Sequence, residues 1–202
     1  FILKNNGEDN FEGEFNFVGH SNLRPTWLGE RSNMIDSKDS GSFEESHWVV
    51  KDSINSWYTV FGSDQSPLSS ETLSDSLKPN GASHSLTYAV TIPAKSETTL
   101  NFSIAGSYHS KEEAISTFFD ILTNHHAMAT EKKLRYEQLA QQSKLTIPDK
   151  QLQETFEWLK YNCDWLVRTV PEIGTGIGAG IADYPWWFGV DSEYALKGYI
   201  CL

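Results

Sequence analysis

Basic residues are scarce: 16 Lys and Arg stand against 27 Asp and Glu, a formal charge of −11. So acidic a surface repels phosphate backbones and anionic headgroups, so neither nucleic acid nor an anionic membrane surface is an expected partner. Long apolar runs are missing too. None approaches the ~18 residues that mark a transmembrane helix. Cysteine is nearly absent. Cys163 and Cys201 cannot build a disulfide framework, and no second pair completes a zinc site. That count fits a reducing compartment, with the cytoplasm favoured. The six histidines are scattered except for His125-His126, and helical neighbours do not face one another, so no metal and no other cofactor is expected.

What remains is apolar enough to fold. Hydrophobic residues make up 39% of 202 positions, and charged ones 21%. This composition belongs to a globular chain rather than a disordered one. The chain opens on Phe1-Ile2-Leu3 without an initiator Met or a signal sequence. It stops at Tyr199-Ile200-Cys201-Leu202 without a helix stop signal. Both ends read as cuts, and a fragment of a longer protein is expected.

Residues 1–109 carry short aromatic and β-branched runs separated by turn residues, the pattern of an antiparallel β-sandwich. Strands are expected at Phe11 to Val18, around Trp48-Val49-Val50 and over Trp57 to Phe61. Leu86, Tyr88, Val90 and Ile92 alternate with smaller residues, as do Leu100, Phe102 and Ile104, so each set shares one strand face. Pro93 to Thr99 between them reads as a hairpin loop joining antiparallel neighbours, with one face wet and the other packed on a second sheet. Residues 62–85, rich in Ser, Asp, Pro and Gly, read as a long exposed loop.

A helical linker is expected over 110–147. Ser110 and Glu113 have capping-box spacing, and Ala114, Ile115, Phe118, Ile121 and Leu122 recur at helical intervals. Pro148 and Asp149 punctuate. In the next helix Leu152, Phe156, Leu159, Cys163 and Leu166 form an apolar stripe, widened by Trp158 and Trp165, that predicts burial on two sides. Cys163 on that stripe reads as packing rather than as a nucleophile.

Gly174-Thr175-Gly176-Ile177-Gly178-Ala179-Gly180 has the spacing of a dinucleotide fingerprint but follows a helix instead of a strand, so a flexible, close-approach loop is the expectation. Trp186, Trp187 and Phe188 then stand beside Asp191 and Glu193. Sugar rings offer C–H faces to aromatic rings, and carboxylates accept from hydroxyls, so this density suits carbohydrate recognition. Packing of the three rings into a core is the competing expectation. Asp191 followed by Ser192 also has the pattern of a helix cap, with Glu193 in the first turn.

The run Tyr184-Pro185-Trp186-Trp187-Phe188-Gly189-Val190-Asp191-Ser192-Glu193-Tyr194-Ala195-Leu196-Lys197-Gly198 resembles the first active-site loop of six-hairpin, (α/α)6-barrel glycosidases. It is nearest to the bacterial glycogen-debranching, amylo-α-1,6-glucosidase-like group. Glu131 to Tyr136 and Leu145 to Asp149 resemble the linker into that barrel. The resemblance implies an α+β fragment: β-sandwich at 1–109, linker at 110–147, and the first helix and loop of a truncated catalytic barrel at 148–202. It implies a glycoside hydrolase acting on α-linked glucosides by inverting acid/base chemistry, with an α-glucan or oligosaccharide as partner. Trp186, Trp187, Phe188, Asp191 and Glu193 are the implied substrate-binding residues. Val190 stands where many members carry Arg. An inverting enzyme needs two carboxylates roughly 6.5–9.5 Å apart. In the family these come from later barrel helices, so the implied catalytic set on this fragment is empty and the fragment inactive. A homodimer through the exposed barrel helix is a further expectation. The rival expectation is a non-catalytic carbohydrate-binding β-sandwich module.

Overall fold

The computed structural model describes residues 1–26, 29, 33–74, 77–170, 172–180, 184 and 186–199. Its architecture is mixed α and β, with antiparallel sheets and, among the described residues, three helices. Contacts divide the chain into two compact units, residues 1–25 with 33–125 and residues 26–32 with 126–202.

The first unit is built on nine strands. They are β1 (Ile2–Lys4), β2 (Phe11–Ser21), β3 (Asp39–Glu44), β4 (His47–Asp52), β5 (Tyr58–Ser63), β6 (Ser69–Leu73), β7 (Ala82–Ile92), β8 (Glu97–Thr99) and β9 (Phe102–Ser107). A three-stranded sheet runs β2-β7-β6 and a four-stranded sheet β3-β4-β5-β9, all antiparallel. The two share a core. Trp48, Val50 and Phe61 from one meet Leu86 and Tyr88 from the other, with Phe15, Phe17 and Phe102 alongside. The Trp48 indole donates to the Ser85 carbonyl across the sheets at 3.0 Å, so its own buried N–H is paired. Its ring stacks on His84 at 4.1 Å. His84 in turn lies so close to Gly41 that a Cβ there would stand 2.2 Å from its Nε2, which only glycine permits. Two layers of this kind are compatible with the expected sandwich.

Three expectations need correction. β7 and β9 are not hairpin partners: β7 lies between β2 and β6, while β9 pairs with β5. The connection 93–101 crosses between sheets, and its β8 pairs with β1. Sheets pack ~10 Å apart, a gap this connection is long enough to span. It lets Leu100 pack with Val90 and Ile92 on the shared core from the other layer. Secondly, the face of the four-stranded sheet turned away from its partner sheet is wet only toward β3, where Ser40, Ser42 and Lys51 are exposed. On the rest of that face Val49, Val60 and Ala105 pack against Ala114 and Phe118 of helix α1 (Lys111–Gln141). Burial on both faces explains why Trp48, Val49 and Val50 are consecutive apolar residues rather than alternating ones. Ile104, expected inside, is 65% exposed while Ser103 and Ala105 are buried. Thirdly, residues 62–85 are not one loop. β6 adds an edge strand to β7, held by backbone bonds that its polar side chains did not announce.

α1 starts as the capping spacing predicts on one side only. The Ser110 hydroxyl accepts from the Glu113 amide at 3.1 Å. The Glu113 carboxylate instead takes the Ser107 hydroxyl, whose oxygen accepts the His109 amide at 2.9 Å and the Ser110 amide at 3.2 Å.

In the second unit, helix α2 (Lys150–Leu166) is capped by Asp149, whose carboxylate accepts from the Leu152 amide at 3.0 Å. The expected two-sided burial of its apolar stripe is not observed. Leu152, Trp158, Leu159 and Trp165 are exposed, whereas Lys160 is buried. The less exposed positions mix Phe156 and Leu166 of the stripe with Glu157, Lys160, Tyr161 and Asp164, the last in a two-pronged pair with Arg135. Cys163 is half-buried. No helix among the described residues is long and apolar enough to cross a membrane.

Candidate carbohydrate-binding site

The last part of the second unit runs straight from α2 into a hairpin. β10 (Val167–Val170) and β11 (Gly174–Ile177) pair antiparallel, with Val167 opposite Ile177 and Thr169 opposite Thr175. The Thr169 and Thr175 hydroxyls bond across at 2.9 Å. The expected flexible glycine loop is therefore in part a strand, because Val167, Thr169, Thr175 and Ile177 supply β-branched pairs on both arms. Gly174 takes φ +134°, a backbone geometry open to glycine.

Close approach of the backbone is observed at Gly176. A Cβ there would lie 2.9 Å from Trp187 Cε2, so the indole lies directly on the strand. The chain then folds back on itself. The amides of Ala179 and Gly180 donate to the carbonyls of Trp186 and Tyr184 at 3.2 and 2.9 Å, and Gly178 donates to Leu166 at 2.7 Å. These bonds fix the aromatic loop against the hairpin without using its ring faces. Trp186 and Trp187 are left 41% and 37% exposed, and Phe188 half-buried.

Helix α3 (Gly189–Tyr199) follows at once, its Ser192 amide donating to the Phe188 carbonyl at 2.9 Å. Asp191 is thus inside the first turn instead of capping it, because the helix begins two residues before the expected cap. A carboxylate there still meets the positive end of the helix dipole. The Ser192 hydroxyl donates to the Ile177 carbonyl at 3.2 Å and ties α3 to the hairpin.

Hairpin, loop and helix border an open pocket of about 480 Å³, lined by Val167, Thr175, Ile177, Trp187, Ser192 and Leu196. Of the five sequence-predicted residues, only Trp187 lines it. Asp191 and Glu193 are exposed and precede and follow Ser192, about 100° to either side of the lining face. Trp186 and Phe188 hold the loop but do not line the cavity. Val190 is 68% exposed. Ser192 and Leu196 share one helix face at i, i+4 spacing, a signal legible once the helix start is known. Asp183 and Pro185 lie outside the described residues, as does Cys201.

Such a site can stack an apolar ring face on Trp187 and bond a hydroxyl to Ser192 or Thr175, while the carboxylates of Asp191 and Glu193 lie outside its lining. Among the described residues no three His, Cys, Asp or Glu side chains are gathered to hold a metal ion. No protein-family model matches the chain, and no curated protein matches its sequence.

Proposed function

We propose that the chain supplies the first substrate-binding loop of a glycoside hydrolase acting on α-linked glucosides, of the six-hairpin type its loop sequence resembles. One observation carries this: Trp186-Trp187-Phe188 is pinned by backbone bonds to a glycine hairpin, with tryptophan surface still exposed, and leads directly into the helix turn bearing Asp191. Rings fixed in advance bind a sugar without the cost of ordering them. Asp191 grips hydroxyls of a terminal glucosyl ring from one side of the Ser192 face, and Glu193 lies on the other side of it. The finer architecture belongs to the same proposal: a sandwich, a linker along α1, and α2 with the aromatic loop as the opening of an (α/α)6 barrel. In that family the catalytic acid and base come from later barrel helices, so the 202-residue chain alone hydrolyses nothing.

The test is titration of the chain with isomaltooligosaccharides and glycogen. Trp187→Ala and Asp191→Asn should each weaken binding. A lost charge-assisted hydrogen bond of about 1.5–3 kcal/mol corresponds to roughly 10- to 150-fold. Glucan binding that survives both substitutions would move recognition to the β-sheet unit and favour a non-catalytic binding module. Glucose release by the chain would sink the assignment of catalysis elsewhere.

A further inference from the structure

His47 opens β4 on the face that α1 covers. Its register partners are Glu44 on β3 and Gly62 on β5, and directly opposed residues put their side chains on one face. Gly62 makes room for it: a Cβ there would stand 2.9 Å from the His47 Cβ. The imidazole fills that room beneath α1, 5.1 Å from the ring of Phe118 and 5.4 Å from that of Phe119. It is 3% exposed, and Nδ1 and Nε2 are both shut off from water without a hydrogen-bond partner. A neutral ring tolerates this place. An imidazolium, with two N–H donors and a charge to satisfy, does not.

Three charged groups act on the ring. Glu44 stands opposite it on β3, Glu45 lies in the turn between β3 and β4, and Lys111 starts α1; β5 opposes it with Gly62 and contributes no charge. Glu44 is already engaged. Its Oε1 takes the Lys111 ammonium at 2.6 Å and the Ser42 hydroxyl at 2.9 Å. Lys111 holds the Glu44 carboxyl below its ordinary pKa, so Glu44 stays ionised in mild acid. Burial pushes the His47 pKa down; Glu44 and Glu45 oppose it, and Lys111 adds to it. The ring that closes α1 onto the sheet and the carboxylate that tethers the first residue of α1 are therefore cross-strand neighbours.

We propose that His47, Glu44 and Lys111 form an acid-released latch: on taking a proton from solvent, the imidazolium leaves its place beneath Phe118 and Phe119 for the Glu44 carboxylate, displaces the Lys111 ammonium and frees the first half of α1 from the four-stranded sheet. Below the ordinary histidine value of 6.5 the undocked ring binds a proton that the docked ring refuses, so docking weakens as pH falls. α1 runs on past His125 into the second unit, so the latch acts on a helix to which both units contribute. The test is hydrogen exchange of the whole chain at pH 7.5 and pH 5.0, corrected for the intrinsic rate at each pH. Peptides from 111–125 should lose protection by about 10-fold at pH 5.0, while β2 and β7 keep theirs. His47→Phe and His47→Met cannot take the proton and should hold α1 at both pH values. Equal protection of the parent at both, or acid loosening of α1 in either folded variant, would overturn the latch. In the parent, the His47 ring protons should titrate by NMR with the midpoint of the loosening. A His47 that titrates while α1 stays protected would overturn it even if neither variant folds. Glu44→Gln should lower the His47 midpoint, because the imidazolium loses the charge that receives it. Mere loosening of the docked ring would raise that midpoint instead, and a raised or unmoved value would show that Glu44 is not the receiver.

Discussion

Lys160 of α2 closes the end of α1: its ammonium donates to the Ala140 carbonyl at 3.0 Å and to the Gln142 carbonyl at 3.2 Å. α1 has no basic residue in its own last turn. The cation that its unpaired carbonyls and negative dipole end favour comes from the following helix. Lys160 is 4% exposed and pairs with Glu157 at 3.0 Å, so the charge is compensated where it is buried.

Lys160→Met keeps the apolar stem and removes the ammonium. It should destabilise the α1–α2 pair by about 2 kcal/mol, the cost of losing charged hydrogen bonds. Urea unfolding followed at 222 nm measures this. An unchanged midpoint would mean that Lys160 is merely accommodated.

Two glycines of the aromatic region should respond in opposite ways. Gly176→Ala drives a methyl into the Trp187 ring, so the indole must leave the hairpin and glucan affinity should fall. Gly189 has open space around its Cβ position at the start of α3, and Gly189→Ala should be neutral or stabilising by up to about 1 kcal/mol. Tryptophan emission and glucan titration of both variants decide the matter. Equal behaviour would show that Trp187 is not held on Gly176.

Asp39 and His47 should pull stability in opposite directions with pH. The Asp39 pKa, raised to about 6 mainly by burial, lies above the ordinary value of 3.8. The folded chain then holds more protons than the unfolded one, so this contribution improves as pH falls from about 7 to 4. Asp39→Asn should therefore be more stable than the parent at pH 7.5, by an order of 2 kcal/mol, and lose that advantage near pH 4. His47 sits 5.1 and 5.4 Å from the rings of Phe118 and Phe119, and burial lowers its pKa below 6.5, as it does for His84. There the unfolded chain binds more protons below pH 6.5, so the histidines lose stability on acidification. His47→Phe should flatten that acid limb in melts between pH 4.5 and 8. A variant as acid-sensitive as the parent would rule His47 out as a contributor.

The outer side of α2 should drive self-association. Leu152, Trp158 and Leu159 are 57%, 56% and 49% exposed on one helix. Neighbouring apolar groups of this size favour burial against another surface. Sedimentation velocity should show a concentration-dependent dimer that Leu159→Lys suppresses. A monomer at all concentrations would argue against association through this helix.

Sequence periodicity determined the elements whose partners are local. The capping oxygens of Ser110 and Asp149, the helical face from Ala114 to Leu122, and the alternating strand from Leu86 to Ile92 all follow from neighbours three, four or two residues away. The aromatic run could be picked out as a candidate because its residues are consecutive, but which of them lines the pocket, Trp187 and not Asp191 or Glu193, depended on where α3 begins. Tertiary structure decided what depended on distant segments. It sent β9 to the sheet opposite β7, because a nine-residue connection between them serves a crossover as well as a hairpin. It made β6 from polar residues, because an edge strand needs only the backbone of β7. It turned α2 so that Lys160 went in and Leu159 out, because the unpaired carbonyls at the end of α1 favour a cation more than a leucine, a need invisible from α2 alone.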